Sequence, residues 1–497
     1  MTNIVGLLIS AITMSVIPRG LGPKAYGDFS FLSNFFTQIV SFLDTGTSTA
    51  FYIKLSNRQK DIGLITFYIG FALIASISLF LFIFIISLTS LTTKIWPEQL
   101  MFFVYLAAIW GIFYWFVQIL NKMVDAFGLT VPAELVGIAQ KILGLILIIS
   151  LFFTGQLTLK NFFYYYYVLL LVLGISFAWI IKKHIASLGA LWKISKNQIF
   201  SYAKEFYQYS HPLFLLGIVG IVAGILDRWL LQIFGGSKQQ GFYGLSYQIG
   251  AVCFIFTSAM TPLITREFSI AFSNKNLSHM ACLFRRYIPL FYAIAAFFSC
   301  FLAVQADSVA YIFGGAKFLD ASLAIAIMAL YPIHQTYGQL SASVFLATGQ
   351  TGLYRNMNVI FTIIGLPLTY FLIAPVDMLG VSAGSTGLAI KMVVIQVVAV
   401  NVQLYFNAKL LQLSFWKYFT HQILCLGCLL LLAFLSSFKI TNCFSSFTNI
   451  IINFISNGML YTITVVVLVY FVPSVFGLNR KDISVFLEFI QRFMLKA

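Results

Sequence analysis

Fourteen long apolar stretches run almost end to end through this chain of 497 residues. That pattern leaves few folds open. Roughly 20 apolar residues are enough to cross a bilayer as a helix. In hydrocarbon every backbone N–H and C=O must be paired internally, so only helices and closed barrels span. The stretches lack the strict alternation of barrel strands, and helices are therefore expected. Composition agrees, with 60% hydrophobic and 9% charged residues and a mean hydropathy of +0.95. The expected class is an all-α polytopic membrane protein of about 14 transmembrane helices.

The spans are read at 2–18, 28–52, 62–89, 100–120, 131–153 and 161–181, then 207–234, 241–265, 287–314, 318–347, 354–375 and 381–407, with two more at 415–437 and 448–476. This gives an N-terminal six-helix bundle (1–181), a linker (182–206), a second six-helix bundle (207–407) and two additional helices (415–476). With the N-terminus placed in the cytoplasm, the inward loops and tail carry 20 of the 30 Lys and Arg residues, the outward loops 7, and the spans 3. Such asymmetry places both termini inside. It also accounts for the net charge of +16. No basic stripe or folded basic domain exists, so a nucleic-acid partner is not expected.

The linker carries Trp192, Ile194, Ile199 and Phe200 among its lysines and is read as lying along the interface. The tail, 478–497, is read as a cytoplasmic amphipathic helix, with Ile483, Phe486, Phe489, Ile490 and Phe493 on one face. No cleavable signal peptide is evident, because the first apolar run has no basic region before it. Of the six cysteines, Cys425 and Cys428 have metal-like spacing but no second pair, and neither a metal nor a disulfide framework is expected.

Three basic side chains lie inside the spans: Lys141, Arg228 and Lys391. A charge there costs about 2.5–3.5 kcal/mol on insertion scales, so it usually faces a water-filled cavity or a partner. Their sign suits an anionic cargo. Packing against a local carboxylate is the competing account of each. Asp227 precedes Arg228, and adjacent helical residues point about 100° apart. Arg228 is therefore assigned to the cargo and Asp227 to a structural or ion-coupling role, with the reverse assignment open. Asp44 in the second span is either a proton or sodium site or an anchor to Thr45 and Thr47. Glu134 is a gate residue or a solvated acid at a helix start. His334 follows Pro332 in the tenth span, and is either a titratable group at a kink or a satisfied core histidine. Arg19 closes the first span, as a mouth residue or by snorkelling.

The two halves echo each other. Leu21–Lys54 and Phe234–Arg266 each run from a Gly-containing turn, through Gly27–Ser30 or Gly241–Gly244, to a terminal basic residue. Repeats of six spans would be parallel, with binding expected between them near the midplane. Chance likeness among apolar segments competes with that reading.

At these residues the chain resembles the Wzx-type lipid-linked oligosaccharide flippases, the polysaccharide-exporting branch of the MOP superfamily. Arg19–Gly27 (RGLGPKAYG) is similar to that family's R-x-LGPxxYG turn, and Leu43–Ala50 (LDTGTSTA) to its L-D-x-G-x-S-x-A stretch. Asp227-Arg228 followed by Gly241-Phe-Tyr, and Tyr311–Gly315 with Phe318 and Ala321, resemble later motifs. The likeness covers most of residues 15–400. The chain departs from the pattern in a short N-terminus and in Ser237–Gln240 (SKQQ), where an acidic turn is common.

The resemblance implies two six-helix bundles in a MATE-like V, with rocking alternating access. It implies a bacterial cytoplasmic membrane protein carrying undecaprenyl-pyrophosphate-linked oligosaccharide outward. Its partners would be that lipid-linked glycan, the bilayer and the glycan polymerase machinery. No cofactor and no enzymatic activity are expected; sodium or proton coupling is open. The alternatives are a MATE-like cation antiporter, a lipid II flippase, and a membrane glycan polymerase or ligase. An antiporter would want a carboxylate-lined cavity, and the first span has no acid. A polymerase or ligase would want a sizeable outward loop, and each outward loop is short.

Overall fold

The computed structural model describes residues 2–44, 46–59, 61–182, 184, 194–438 and 447–480. Among them there are no strands. The helices, in order, are α1 (Thr2–Asp44), α2 (Thr47–Asn57), α3 (Ile62–Ser87), α4 (Thr92–Ile95), α5 (Met101–Ala126), α6 (Thr130–Phe153), α7 (Leu159–Lys182), α8 (Lys196–Val252), α9 (Ile255–Ser273), α10 (Leu277–Val304), α11 (Ala306–Gly314), α12 (Ser322–Met328), α13 (Tyr331–Ala347), α14 (Thr351–Ile373), α15 (Gly384–Leu410), α16 (Phe415–Phe438) and α17 (Phe447–Phe471). Among the described residues, 11 segments are long and apolar enough to cross a membrane. The all-α polytopic class read from the sequence therefore holds.

The expected spans and the observed helices differ where the backbone bends. α1 and α8 each join two expected spans across one non-helical glycine. Gly22 has φ 74° and ψ 170°, and Gly236 has φ 68° and ψ −176°. That region of backbone space is essentially open to glycine alone. The expected 28–52 span is broken where α1 ends at Asp44 and Gly46, at φ 80°, starts α2. The 241–265 span is broken between Val252 and Ile255. The 318–347 span is broken between α12 and α13, with Pro332 in the first turn of α13. Proline fits there because the first turn has no intrahelical acceptor for its missing N–H.

Contacts divide the chain into two units, 1–241 and 242–497, with the boundary just past the kink of α8. In the first unit α5 packs along α7, and α1 along α5 and α6. Aromatic rings fill this core. Phe29 meets Phe162 edge-on at 4.7 Å and stacks on Tyr166 at 5.2 Å. Such pairs contribute about 0.5–1.5 kcal/mol beyond area burial. Ile74, Ile77 and Leu81 form an exposed apolar stripe on α3, as a lipid-facing helix requires.

The described part of the linker joins this unit. α8 starts at Lys196, and Tyr202 Oη donates to Asp61 at 2.7 Å. Lys54 Nζ donates to Glu205 at 2.7 Å, and Arg58 lies 3.4 Å from the same carboxylate. Ile199 and Phe200 are exposed. Trp192 and the amphipathic stretch Ile483–Phe493 lie outside the described residues.

In the second unit α10 packs along α16, α13 along α9 and α15, and α14 along α15. The α9–α13 seam is polar. Thr257 meets Thr336 at 2.8 Å, Thr261 meets Gln339 at 3.3 Å and Thr265 meets Ser343 at 2.7 Å. The threonines recur every fourth residue, so one helix face carries all three. Lipid supplies no hydrophobic drive between helices, and such hydrogen bonds hold them instead, at about 0.6 kcal/mol each on average.

Candidate functional site

The kinks of α1 and α8 bring the repeat-related turns together inside the first unit. A methyl group on Gly27 would lie 1.7 Å from the Ser237 carbonyl oxygen and 2.7 Å from Gly241 N. One on Gly241 would lie 2.1 Å from the Pro23 carbonyl oxygen. The two backbones thus cross in direct contact, which glycine alone permits.

The same bend builds the surroundings of Arg228. Its guanidinium donates to Gln240 Oε1 at 2.9 Å, and Gln240 Nε2 donates to the Arg228 carbonyl. Twelve residues separate the two. In a straight helix they would stand about 18 Å apart along the axis. The non-helical Gly236 returns Gln240 to Arg228. Asp227 is 9% exposed and Arg228 half-buried.

A carboxylate reaches this turn from the α3–α5 connection. Glu98 accepts from Ser237 N at 3.0 Å and from Ser237 Oγ at 3.2 Å. It thereby caps the arm of α8 that starts there, where the helix dipole favours a negative group. Gln232 Nε2 donates to the Pro97 carbonyl at 3.1 Å, and Trp229 Nε1 to the Lys94 carbonyl at 2.8 Å. Gln99 Nε2 donates to Asp28 at 2.7 Å. Glu98 itself is held at φ 60°, an uncommon conformation for a non-glycine residue. The SKQQ turn lacks the acid common in the resembled family, and Glu98 delivers one from elsewhere in the chain.

Four more expected residues fall in this unit. Arg19 is half-buried on α1 beside the kink. Lys141 and Glu134 are both exposed on α6, and a methyl on Gly6 would lie 3.2 Å from Lys141 Nζ. Asp44 accepts from Thr47 Oγ1 at 3.0 Å, Ser48 N at 2.9 Å, Ser48 Oγ at 2.7 Å and Tyr68 Oη at 2.9 Å. These bonds tie the end of α1 to the start of α2 and to α3. Thr45 lies outside the described residues.

Lys391 and His334 belong to the second unit. Lys391 on α15 is 7% exposed. Its stem crosses Gly365 of α14, where a methyl would lie 2.9 Å from Lys391 Cε. His334 is buried on α13, edge-on to Tyr292 at 5.6 Å. Reading the sequence did not single out Gln240 or Glu98. The SKQQ departure was the available signal for the first, and the lone acid in the α3–α5 connection for the second.

The long apolar helices define a polytopic all-helical membrane protein. Residues 1–268 match the profile of a family described as polysaccharide biosynthesis protein, and the chain belongs to that family. Its fold is that of MOP superfamily transporters. It is similar to lipid II flippase MurJ in an inward closed conformation, with a TM-score of 0.67, 15% identity, and 94% of this chain and 97% of that one covered. It is also similar to an inward-facing multidrug resistance MATE transporter, with a TM-score of 0.64, 15% identity, and coverage of 83% and 95%. A third is a MOP superfamily transporter from Pyrococcus furiosus described as having a binding pocket of reverse polarity, at TM-score 0.50 and 16% identity, with coverage of 82% and 93%. No curated protein matches the chain in sequence.

Proposed function

We propose that this chain is a flippase that carries a polyprenyl-diphosphate-linked oligosaccharide from the cytoplasmic to the outer leaflet by alternating access. One observation carries the reading. In a member of a polysaccharide biosynthesis family, a membrane helix holds Lys391 at 7% exposure. A cation within a membrane span is rare and usually marks a substrate path, and its sign suits an anionic cargo. A diphosphate headgroup is such a cargo, and a cationic drug is not.

Lys141, Arg228, Lys391 and Arg19 are the residues we assign to the headgroup and its path. Asp227, Glu134, His334 and Asp44 are assigned to ion coupling or gating, with Asp44 acting through the α1–α2 joint that it holds. An inside-negative potential of 100 mV favours outward movement of each negative charge by about 2.3 kcal/mol. A headgroup with two charges would gain about twice that if both cross the full field. Proton or sodium entry would add to it. On this reading the protein is a carrier rather than an enzyme. It lies in the bacterial cytoplasmic membrane with both termini inside and works alongside glycan polymerase machinery.

The test is mass spectrometry of lipid-linked oligosaccharides, with leaflet assignment, in a strain lacking the gene. Complete repeat units trapped on the cytoplasmic leaflet are expected. The same units on the outer leaflet would point to a polymerase or ligase. No accumulation would sink the glycan reading and favour the cation antiporter.

A further inference from the structure

The second unit contains a basic cavity that the transport reading does not use. The first turns of α16, the N-terminal third of α10 and the turn after α17 border an open cavity of about 510 Å³. Arg285 and Arg286 line it from α10, Lys417 and His421 from α16, and Ser474 and Asn479 from the turn. No carboxylate is among the described residues that line it. His421 Nε2 is buried there without a hydrogen-bond partner among the described residues. Arg285 and Lys417 are like charges facing one cavity, and an anion with several acceptor oxygens relieves their repulsion.

The surroundings decide between a soluble anion and a lipid. The cavity sits where the apolar stretches of α10 and α16 begin and that of α17 ends, which is the headgroup level of a bilayer. Below it, α16 carries one continuous face. Lys417 and His421 line the cavity. Leu424, Cys428, Leu431 and Leu435 follow at spacings of three, four, three and four residues, which keeps them on the same side of a helix. Leu424, Leu431 and Leu435 are 57%, 58% and 55% exposed. A soluble phosphate has no use for this stripe. An acyl chain running down from a headgroup covers it.

We infer that this cavity is a binding site for a bilayer phospholipid with an anionic phosphate headgroup, separate from any cargo site. Arg285 and Lys417 hold the phosphate, with Arg286 adding charge, and the leucine stripe of α16 takes one acyl chain. Basic pockets between membrane helices at the cytoplasmic face favour such headgroups. The site does not depend on the flippase reading.

The test is native mass spectrometry of the delipidated full chain in detergent. It would be titrated with phosphatidylglycerol, phosphatidylcholine of the same acyl chains, inorganic diphosphate and undecaprenyl diphosphate. Arg285→Gln/Lys417→Gln is compared with the charge-conserving Arg285→Lys/Lys417→Arg, and thermal melting checks that each is folded. Phosphatidylglycerol should bind the wild type roughly tenfold or more tightly than phosphatidylcholine. The neutral variant should lose that preference and the charge-conserving one should keep it. Equal binding of the two phospholipids, or a preference that survives neutralisation, overturns the site. Inorganic diphosphate displacing phosphatidylglycerol at equal concentration would make it a soluble-anion site. Stronger binding of undecaprenyl diphosphate would make it part of the cargo path. Either result overturns the phospholipid assignment.

Discussion

Gly27 and Gly241 touch reciprocally: each presses its missing side chain against the backbone that leads into the other. The same sequence offset relates Gly22 to Gly236, the two kink residues. The repeat legible in the sequence is thus also a contact in the structure. Two copies of one turn meet, and each is bent by a glycine in the same backbone region.

Alanine at Gly27 or Gly241 should therefore destabilise severely. The clash is with backbone atoms, which cannot rotate away. Overpacking typically costs about 1–3 kcal/mol, occasionally more. Gly70 on α3 is the control, since a methyl there meets nothing within 4 Å. Gly70→Ala should stabilise by about 0.5–1 kcal/mol, as for any mid-helix glycine. Thermal unfolding in detergent reads both. Tolerance at Gly27 would refute the crossing.

Glu98→Ala should cost about 0.5–2 kcal/mol, as loss of a helix cap does. Glu98→Gln keeps an acceptor oxygen for Ser237 N and should cost less. Equal melting temperatures for Glu98→Ala and the wild type would show that the α8 arm does not need this cap.

Lys391→Met should leave a folded protein that no longer moves cargo. If Lys391 serves the headgroup as proposed, transport is lost with the charge even though the apolar stem is kept. Gly365→Ala is the subtler test. Its methyl would displace the Lys391 stem, so it should lower transport in part while the melting temperature changes little. Accumulated lipid-linked oligosaccharide in complemented cells measures both. Full transport by Lys391→Met would remove this residue from the cargo path.

The Lys54 hydrogen bond, aided by the charges of Lys54 and Arg58, holds the Glu205 carboxyl below its ordinary range. A carboxyl depressed by folding stabilises above its unfolded pKa, about 4.3, and loses that contribution as pH falls through the folded value. The pair is partly exposed, so the effect is about 0.2–1 kcal/mol. Glu205→Gln should melt below the wild type at pH 7, and the gap should narrow as pH falls below about 4.3. Tyr202 has the opposite sign. Burial and the bond to Asp61 push its pKa up to about 12, so its contribution persists through neutral pH and fades only as pH rises through that value.

Much of this protein could be read from its residues alone. Apolar length set the class, because lipid admits so few backbone arrangements. The motifs around Arg19–Gly27 and Asp227-Arg228 set the family. The positions of Lys141, Arg228 and Lys391 within spans were equally legible, since hydropathy is local.

The partners were not. Arg228 meets Gln240 only because Gly236 folds α8 back. Glu98 reaches Ser237 from 139 residues away, and Lys391 fits because Gly365 of another helix gives it room. The cavity combines Arg285 and Arg286 of α10, Lys417 of α16 and the turn after α17, segments that lie far apart in the sequence. Insertion into a membrane depends on each segment's own composition, whereas kinks and packing depend on which segment lies opposite. The sequence by itself determined that the chain is built of apolar helices; the tertiary structure decided where they bend and what each charge faces.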